Sequence, residues 1–568
     1  MRFFRFSVVL AVLCMVQSHL SAEDWPRFRG PLGNATASSA SIPSNWSPAA
    51  NLAWKTALPG PGASSPIIVD GKVFVTCYSG YGLSQENPGD IENLLRHVVC
   101  VELATGKKLW QKDVPVSLPE DPYSGIGVTA HGYASHTPVS DGKRVFAFFG
   151  KSGVHAFDLD GNKLWQAEAG KESDPTKWGS SSSPVVHENI LIVTASAESQ
   201  SIIGFDTETG NEVWRQEAKG LDGMWGTPSL VDAGDHSELV MCVAGEMWGM
   251  NPQTGELLWY ADAAGQQAYT SILQDGGRVF AFTGRGGGSI AVETGGSGNV
   301  SESKTIWTGR ETSSFASPVR HQSKLYVIAR NIATVVDAET GKKVEQFRLN
   351  GAMETGGRFG SLDYPSPIVA GDRMFYMNGS GQMFVFELGE NTKQIALNRF
   401  TEEKEVFWGS PAVSDSKLVV RSQKYLYCVA DKGQTVEKDT QLLAKAESTE
   451  SADSGAAAGG GGRRGPGGGR GAGGGGGGRF DPMSMFNGMD KDEDGQVTKA
   501  ELEGNRMADR LITLDKDGDE SISKDEFSSG IGRLFSRGGG GNGGGRGPGG
   551  YRGEDSRPER PQRPSGAK

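Results

Sequence analysis

Near the C-terminal end, carboxylates recur at every second position. Asp490, Asp492 and Asp494 lead to Gly495, Gln496, Thr498 and Glu501; further on, Asp515, Asp517 and Asp519 lead to Glu520, Ser521, Ser523 and Glu526. Calcium is a hard cation that takes oxygens. A twelve-position loop supplies them from side chains at positions 1, 3 and 5, a backbone carbonyl at 7, a direct or water-borne contact at 9, and both oxygens of a glutamate at 12. Both segments meet that pattern. Gly495 stands sixth, where the chain turns sharply with positive φ. The second loop has Glu520 there, and a left-handed non-glycine residue costs about 1 kcal/mol, so this loop is expected to bind calcium more weakly.

Two such loops need elements to hold them. Phe480, Met485, Phe486 and Met489 lead into the first, and Met507, Leu511, Ile512 and Leu514 into the second. That spacing predicts short entering helices with apolar faces that pair, while Val497 and Ile522 meet between the loops. The expectation is a small α-helical EF-hand pair over residues 480–535.

A second set of residues is aromatic. Tyr133, Trp178, Trp225, Tyr269, Phe315, Tyr364 and Trp408 each lie just before a Ser/Thr-Pro step or its equivalent. The prolines of those steps are Pro66, Pro138, Pro184, Pro228, Pro318, Pro367 and Pro411, with Ser271 standing where an eighth proline is expected. Apart from one long first interval, the spacings fall between 43 and 49 residues. Each step opens a unit of short apolar runs with period two, broken by Gly, Asn and Asp, and such runs are strands joined by tight turns. Several units end on Thr-Gly-x-x-x-Trp, as in Thr105-Gly106 with Trp110, Thr209-Gly210 with Trp214, and Thr254-Gly255 with Trp259. A fixed period of this length signals a propeller. One four-stranded sheet cannot bury both faces alone, so eight units are expected to stack around an axis over residues 23–431, with the tryptophans as plates between neighbours. Asn51-Leu-Ala-Trp54-Lys reads as an outer strand with no head of its own, which would complete the eighth blade. The fold class expected is all-β, an eight-bladed β-propeller, with the helical pair carried on a disordered Gly-rich linker.

Since each innermost strand begins near the axis, the seven rings would line one mouth of the channel, accompanied by Lys177 and Arg358, or would plug it as core. An open mouth would suit a flat or anionic ligand. His131 and His136 read as satisfied hydrogen-bonders rather than metal ligands.

The leader Asp24-Trp25-Pro26-Arg27-Phe28-Arg29-Gly30-Pro31, the Ser-Pro heads, the Thr-Gly-x-x-x-Trp tails and His131-Gly-Tyr-Ala-Ser-His-Thr-Pro138 together resemble exported bacterial proteins with a PQQ-like, quinoprotein-type propeller. The resemblance implies the fold over about residues 24–431. It leaves two functions open, because the same propeller serves quinone-dependent alcohol dehydrogenases and a scaffold lipoprotein of outer-membrane protein assembly. The dehydrogenases are known for an adjacent cysteine pair beside the quinone, and no two cysteines are adjacent here, so the quinone PQQ is not expected. No catalytic residue is carried over.

The remaining composition sets bounds. A formal net charge of −11 argues against a general nucleic-acid binder. Residues 1–22 read as a secretory signal, with Arg2 and Arg5 ahead of an apolar stretch and a small-residue site at Ser21-Ala22. Cys77 and Cys100 flank the insertion in the first unit on strands expected to pair; in an oxidising compartment they would either be bonded or stay as buried thiols. From about residue 432 the sequence turns polar and rich in Ala and Gly, residues 455–479 cannot bury apolar surface, and 432–479 and 536–568 are expected to be disordered. The leading expectation is an exported, periplasmic or envelope-associated, monomeric calcium-binding propeller. It would serve as a binding or scaffold module for a protein or polysaccharide partner; the alternative is a PQQ-dependent dehydrogenase with its site on the propeller axis.

Overall fold

The computed structural model describes residues 23–434 apart from 38–40, 126, 176, 222, 264, 266–267, 285–286, 314 and 352–363. It also describes residues 486–527 apart from 487–488, 491, 493, 503–510, 516 and 525, and residues 557–561. The expected secretory signal over residues 1–22, most of both Gly/Arg-rich tracts and Arg358 lie outside the described residues. The chain falls into two compact units, Met1–Gly455 with Tyr551–Lys568, and Ala456–Gly550.

In the first unit each sequence repeat becomes one antiparallel blade. Blade three shows the rule: Val185–His187, Ile190–Ala195, Ser201–Asp206 and Glu212–Glu217 pair in chain order. Its two middle strands are buried along almost their whole length, because neighbouring blades cover both faces. The eighth blade is completed from the other end of the chain. Leu52–Ala57 pairs antiparallel with Tyr425–Val429, outside Lys417–Arg421 and Ala412–Ser414, and so closes the ring of eight.

Closure has a second seal at the axis. The backbone N–H of Ser65 donates to the Thr137 hydroxyl at 2.9 Å, Thr137 to Ser183 at 3.0 Å, and Ser183 to Thr227 at 3.0 Å. The cycle continues from Thr227 to Ser271 and from Ser271 to Ser317, then through Ser366 and Ser410, whose N–H returns to Ser65 at 2.9 Å. The hydroxyl in each Ser/Thr-Pro step thus joins one blade to the next. In this register Ser271 occupies the serine position and Ile272 the proline position, one residue from the alignment expected.

The Thr-Gly-x-x-x-Trp motif joins blades at the rim, because its two halves meet across the gap. The indole N–H of Trp54, Trp110, Trp165 and Trp307 donates to a backbone carbonyl of the next blade's turn, at Leu103, Leu159, Thr207 and Ala338, all within 3.0 Å. The ring lies on that turn's glycine so closely that a Cβ at Gly106 would come within 2.6 Å of Trp54, and one at Gly210 within 2.6 Å of Trp165. Where blade six has Glu345 in place of Trp, the carboxylate accepts from the Thr392 hydroxyl of the next turn at 2.8 Å.

Cys77 and Cys100 are both buried free thiols. Their strands do pair, but Cys77 lies opposite His97 and Cys100 opposite Phe74. An offset of three residues puts the side chains on opposite faces of the sheet, so no bond can form between them.

In the second unit Gln496–Thr498 and Ser521–Ser523 form a two-stranded ribbon with Val497 opposite Ile522. Those two residues, with Phe486, Met489, Leu502, Leu511, Leu514 and Phe527, make a small core. The expected flanking helices fall mostly on residues outside those described.

Candidate functional site

Six of the seven aromatic residues form an unbroken belt at one end of the axis. Ring centroids lie 5.9 Å apart for Trp178 and Trp225, 5.1 Å for Trp225 and Tyr269, 5.5 Å for Tyr269 and Phe315, 4.8 Å for Phe315 and Tyr364, and 6.1 Å for Tyr364 and Trp408. Five of these rings stand two residues before the Ser or Thr of the hydroxyl cycle, and in extended backbone positions i and i+2 face the same way. The offset therefore brings rings and hydroxyls to one wall. All six rings are partly exposed. With Phe28, His131 and the eight hydroxyl residues they enclose a cavity of about 170 Å³.

Phe28 belongs to the leader, which the sequence marked as aromatic and basic but could not place. The leader runs across the ring beyond the hydroxyls, on the side away from the belt. Trp25 exchanges backbone hydrogen bonds with Ile68, Pro26 accepts from the Ser140 N–H, Asn34 pairs with Gln274, and Ala35 accepts from Val369. Arg29 is buried and donates to the carbonyls of Gly33, Ser317 and Pro318; burial pushes it down to about 9. These five residues anchor the leader, and Phe28 lines the cavity.

Tyr133 lies elsewhere. The insertion in blade one and the segment after that blade fold over it, so its ring packs against Tyr78 at 5.5 Å, Tyr81 at 5.9 Å and Tyr123 at 6.1 Å, and its hydroxyl donates to the Asp121 carbonyl at 2.8 Å. In this sector His131 lines the cavity instead. Its Nε2–H donates to the Trp178 carbonyl and its Nδ1 accepts from the Ser135 hydroxyl, both at 2.6 Å. Burial lowers its pKa and keeps it neutral.

His131 also borders a smaller polar chamber with Arg96, Glu120, Asp121, Lys151, His136, Ser180 and Glu198. Arg96 pairs with Glu120, and Lys151 with Asp121 at 3.0 Å. Ser180 links the other two: its hydroxyl donates to Glu198 Oε1 at 2.5 Å and lies 3.1 Å from His136 Nε2. The second carboxyl oxygen of Glu198 is buried without a partner. Burial pushes Glu198 up to about 7 and His136 down to about 3. Glu198 escaped the sequence reading because it lies in an aperiodic turn, Ser196-Ala-Glu198-Ser-Gln, which resembles a solvated loop.

The two acidic loops each bring part of the expected ligand set together. In the first, Asp490, Asp492 and Asp494 bring carboxylate oxygens within 4.8 Å of one another, and in the second Asp515, Asp517 and Asp519 do the same. Gly495 has φ 89° and its N–H donates to Asp490 Oδ2 at 2.9 Å, while Glu520 has φ 68° and donates to Asp515 Oδ2 at 3.0 Å. Asp490 is buried and its Oδ1 has no hydrogen-bond partner among the described residues, which fits an oxygen whose partner is a cation. Thr498 and Glu501, and likewise Ser523 and Glu526, are joined by hydroxyl-to-carboxylate bonds of 2.8 Å, so positions 9 and 12 meet in both loops. At the seventh positions the Ser521 hydroxyl donates to the side chain of Gln496. Asp517 is raised: its bond from the Asp519 N–H pulls it down, but desolvation and the charges of Asp519, Glu526 and Asp515 outweigh that.

The sequence matches the family described as outer membrane protein assembly factor BamB over residues 95–347 and, in an overlapping match, over 198–444, together more than half of the chain. No curated protein matches it. Among solved structures it is similar to BamB from Moraxella catarrhalis, at 13% identity over 68% of this chain and 99% of that one, with a TM-score of 0.47. It is similar to a europium-containing methanol dehydrogenase at 13% identity, over 70% and 89% of the two chains, with a TM-score of 0.47. For the quinohemoprotein alcohol dehydrogenase ADHIIG from Pseudomonas putida HK5 the values are 11%, 73%, 81% and 0.44.

Proposed function

The chain belongs to the family of the outer membrane protein assembly factor BamB, and from that premise we propose that it is an exported calcium-binding propeller whose axial cavity binds a partner, as a scaffold rather than as an enzyme. The observation that carries this reading is the belt of six partly exposed rings above a circle of hydroxyls. Rings that served only as core would be covered. Here they remain partly exposed, and the Ser and Thr hydroxyls below them, whose oxygens accept the inter-blade N–H bonds, have protons to offer to a carbonyl or hydroxyl. Such a wall suits an aromatic or flat group on a protein or polysaccharide partner. The secretory leader supports export, and the two acidic loops support calcium.

A quinone held through calcium needs a carboxylate and an amide at its edge. Among the described residues the cavity wall supplies neither, so no step is derived through that cofactor. The test is a random-peptide display library and a glycan array, each probed with the protein and with W225A/Y269A. Binders that require the two rings support the reading, and binders indifferent to them refute it. Dye reduction with alcohols after adding the quinone and calcium would replace it with the dehydrogenase reading.

A further inference from the structure

Blade four carries a buried carboxylate with an unusual source of charge. Glu246 opens the strand Glu246–Met250 and is 1% exposed. The Trp248 indole N–H donates to its Oε2 at 2.8 Å. Every ion pair it makes among the described residues comes from the far end of the chain, more than 300 residues away. Arg560 grips it with both forks, Nε to Oε2 at 3.0 Å and Nη2 to Oε1 at 2.6 Å. Arg557 Nη1 lies 3.4 Å from Oε1 and 2.9 Å from Asp262 Oδ1.

The site is built for this segment in three further ways. The Arg560 guanidinium carbon stands 3.4 Å from the centroid of the Tyr260 ring, a cation–π contact. The Glu559 N–H donates to the Lys219 carbonyl at 2.7 Å, which fixes the backbone. Pro558 and Pro561 are buried, and a proline can be covered there without stranding an N–H. The sequence around the segment runs Arg557-Pro-Glu, Arg560-Pro-Gln, Arg563-Pro-Ser. This is a three-residue period, and polyproline II has three residues per turn. A helix of that type presents successive arginines on one side, where Glu246 and Asp262 receive them. Burial alone would raise the Glu246 carboxyl, but the bonds from Arg560 and Trp248 bring it below the ordinary range.

We propose that this edge of blade four is a binding site for peptides of the form Arg-Pro-x-Arg-Pro, and that the chain's own residues 557–561 occupy it as a displaceable clasp. The site is separate from the axial cavity and does not depend on the function proposed there. Its specificity follows from chemistry: a buried carboxylate demands a cation, two parallel N–H bonds demand guanidinium rather than ammonium, and the flanking covered positions favour proline.

The test uses a fluorescein-labelled peptide of residues 555–565 and fluorescence anisotropy. The full chain with R557A/R560A/R563A has an emptied site and is expected to bind the peptide. The unaltered chain is expected to bind it at least tenfold more weakly, because a tethered tail competes at high effective concentration. Adding E246Q to the emptied chain should weaken binding more than about thirtyfold, the scale of losing one member of a buried charge pair. A peptide with both docking arginines changed to lysine should fail similarly. Should E246Q prevent folding, Y260A in the emptied chain replaces it, with an expected loss of about threefold or more. Failure of the emptied chain to bind, equal binding by the unaltered chain, or indifference to E246Q, to Y260A or to the lysine peptide would each overturn the proposal.

Discussion

Glu198 offers a perturbation whose size follows from its surroundings. Its carboxyl is almost fully buried and titrates near 7 instead of 4.5, with burial as the cause and the Ser180 hydroxyl as a partial offset. A folded-state pKa above the unfolded value means that the folded protein holds the proton more tightly. The stability this contributes is complete below about pH 4.5 and is lost as pH rises through 7. At about 1.36 kcal/mol per unit, the loss between pH 5 and pH 8 comes to about 2–3 kcal/mol. His136 acts in the opposite sense: it is held near 3 against an ordinary 6.5, so its contribution is present above 6.5 and fades as pH falls. The two partly cancel in the unaltered protein, and E198Q separates them. Glutamine keeps the Ser180 hydrogen bond and cannot ionise. Urea unfolding of both full-length proteins at pH 5, 6, 7 and 8 should show E198Q gaining about 2–3 kcal/mol relative to the parent from the lowest to the highest pH. A difference that stays constant across that range would refute an elevated Glu198, and with it the buried polar cluster beside the axis.

Two further outcomes follow from the ring and the loops. S183A leaves the buried Thr137 N–H without its acceptor and should cost about 1–3 kcal/mol; S183T should restore it, and urea midpoints of the two variants decide whether the hydroxyl or the volume matters. In the second acidic loop E520G relieves a left-handed glutamate worth about 1 kcal/mol, so calcium titration calorimetry should show that site tightening about fivefold, while D490N should remove the other site.

The propeller was legible because its joints are written in the motif itself. The Ser/Thr-Pro heads and the Thr-Gly and Trp tails are the two halves of contacts between neighbours, so the period that signals the fold also seals it. The headless strand around Trp54 was readable for the same reason. What escaped were contacts without a period. Arg27, Phe28 and Arg29 look like a solvated leader, and only the assembled ring shows carbonyls for Arg29 and a hollow for Phe28. Tyr133 obeys the spacing of the belt, but Tyr81 of the insertion and Tyr123 of the segment after blade one close over it. The cysteines lie on paired strands, yet register decides the face, and register is not visible in one strand's sequence. Residues 557–561 have a composition that cannot form a core, and the acidic edge that receives Arg557 and Arg560 is assembled only in the fold.

The axial belt as a binding surface is tested most directly by placing a photoreactive benzoylphenylalanine at Tyr269, and separately at exposed Val213 on the outer strand of blade three, in cells that export the protein. Expected is a discrete crosslinked partner at position 269 that W225A removes and that position 213 never gives. No adduct at 269, or the same adducts from both positions, would mean that the rings close the channel and bind nothing.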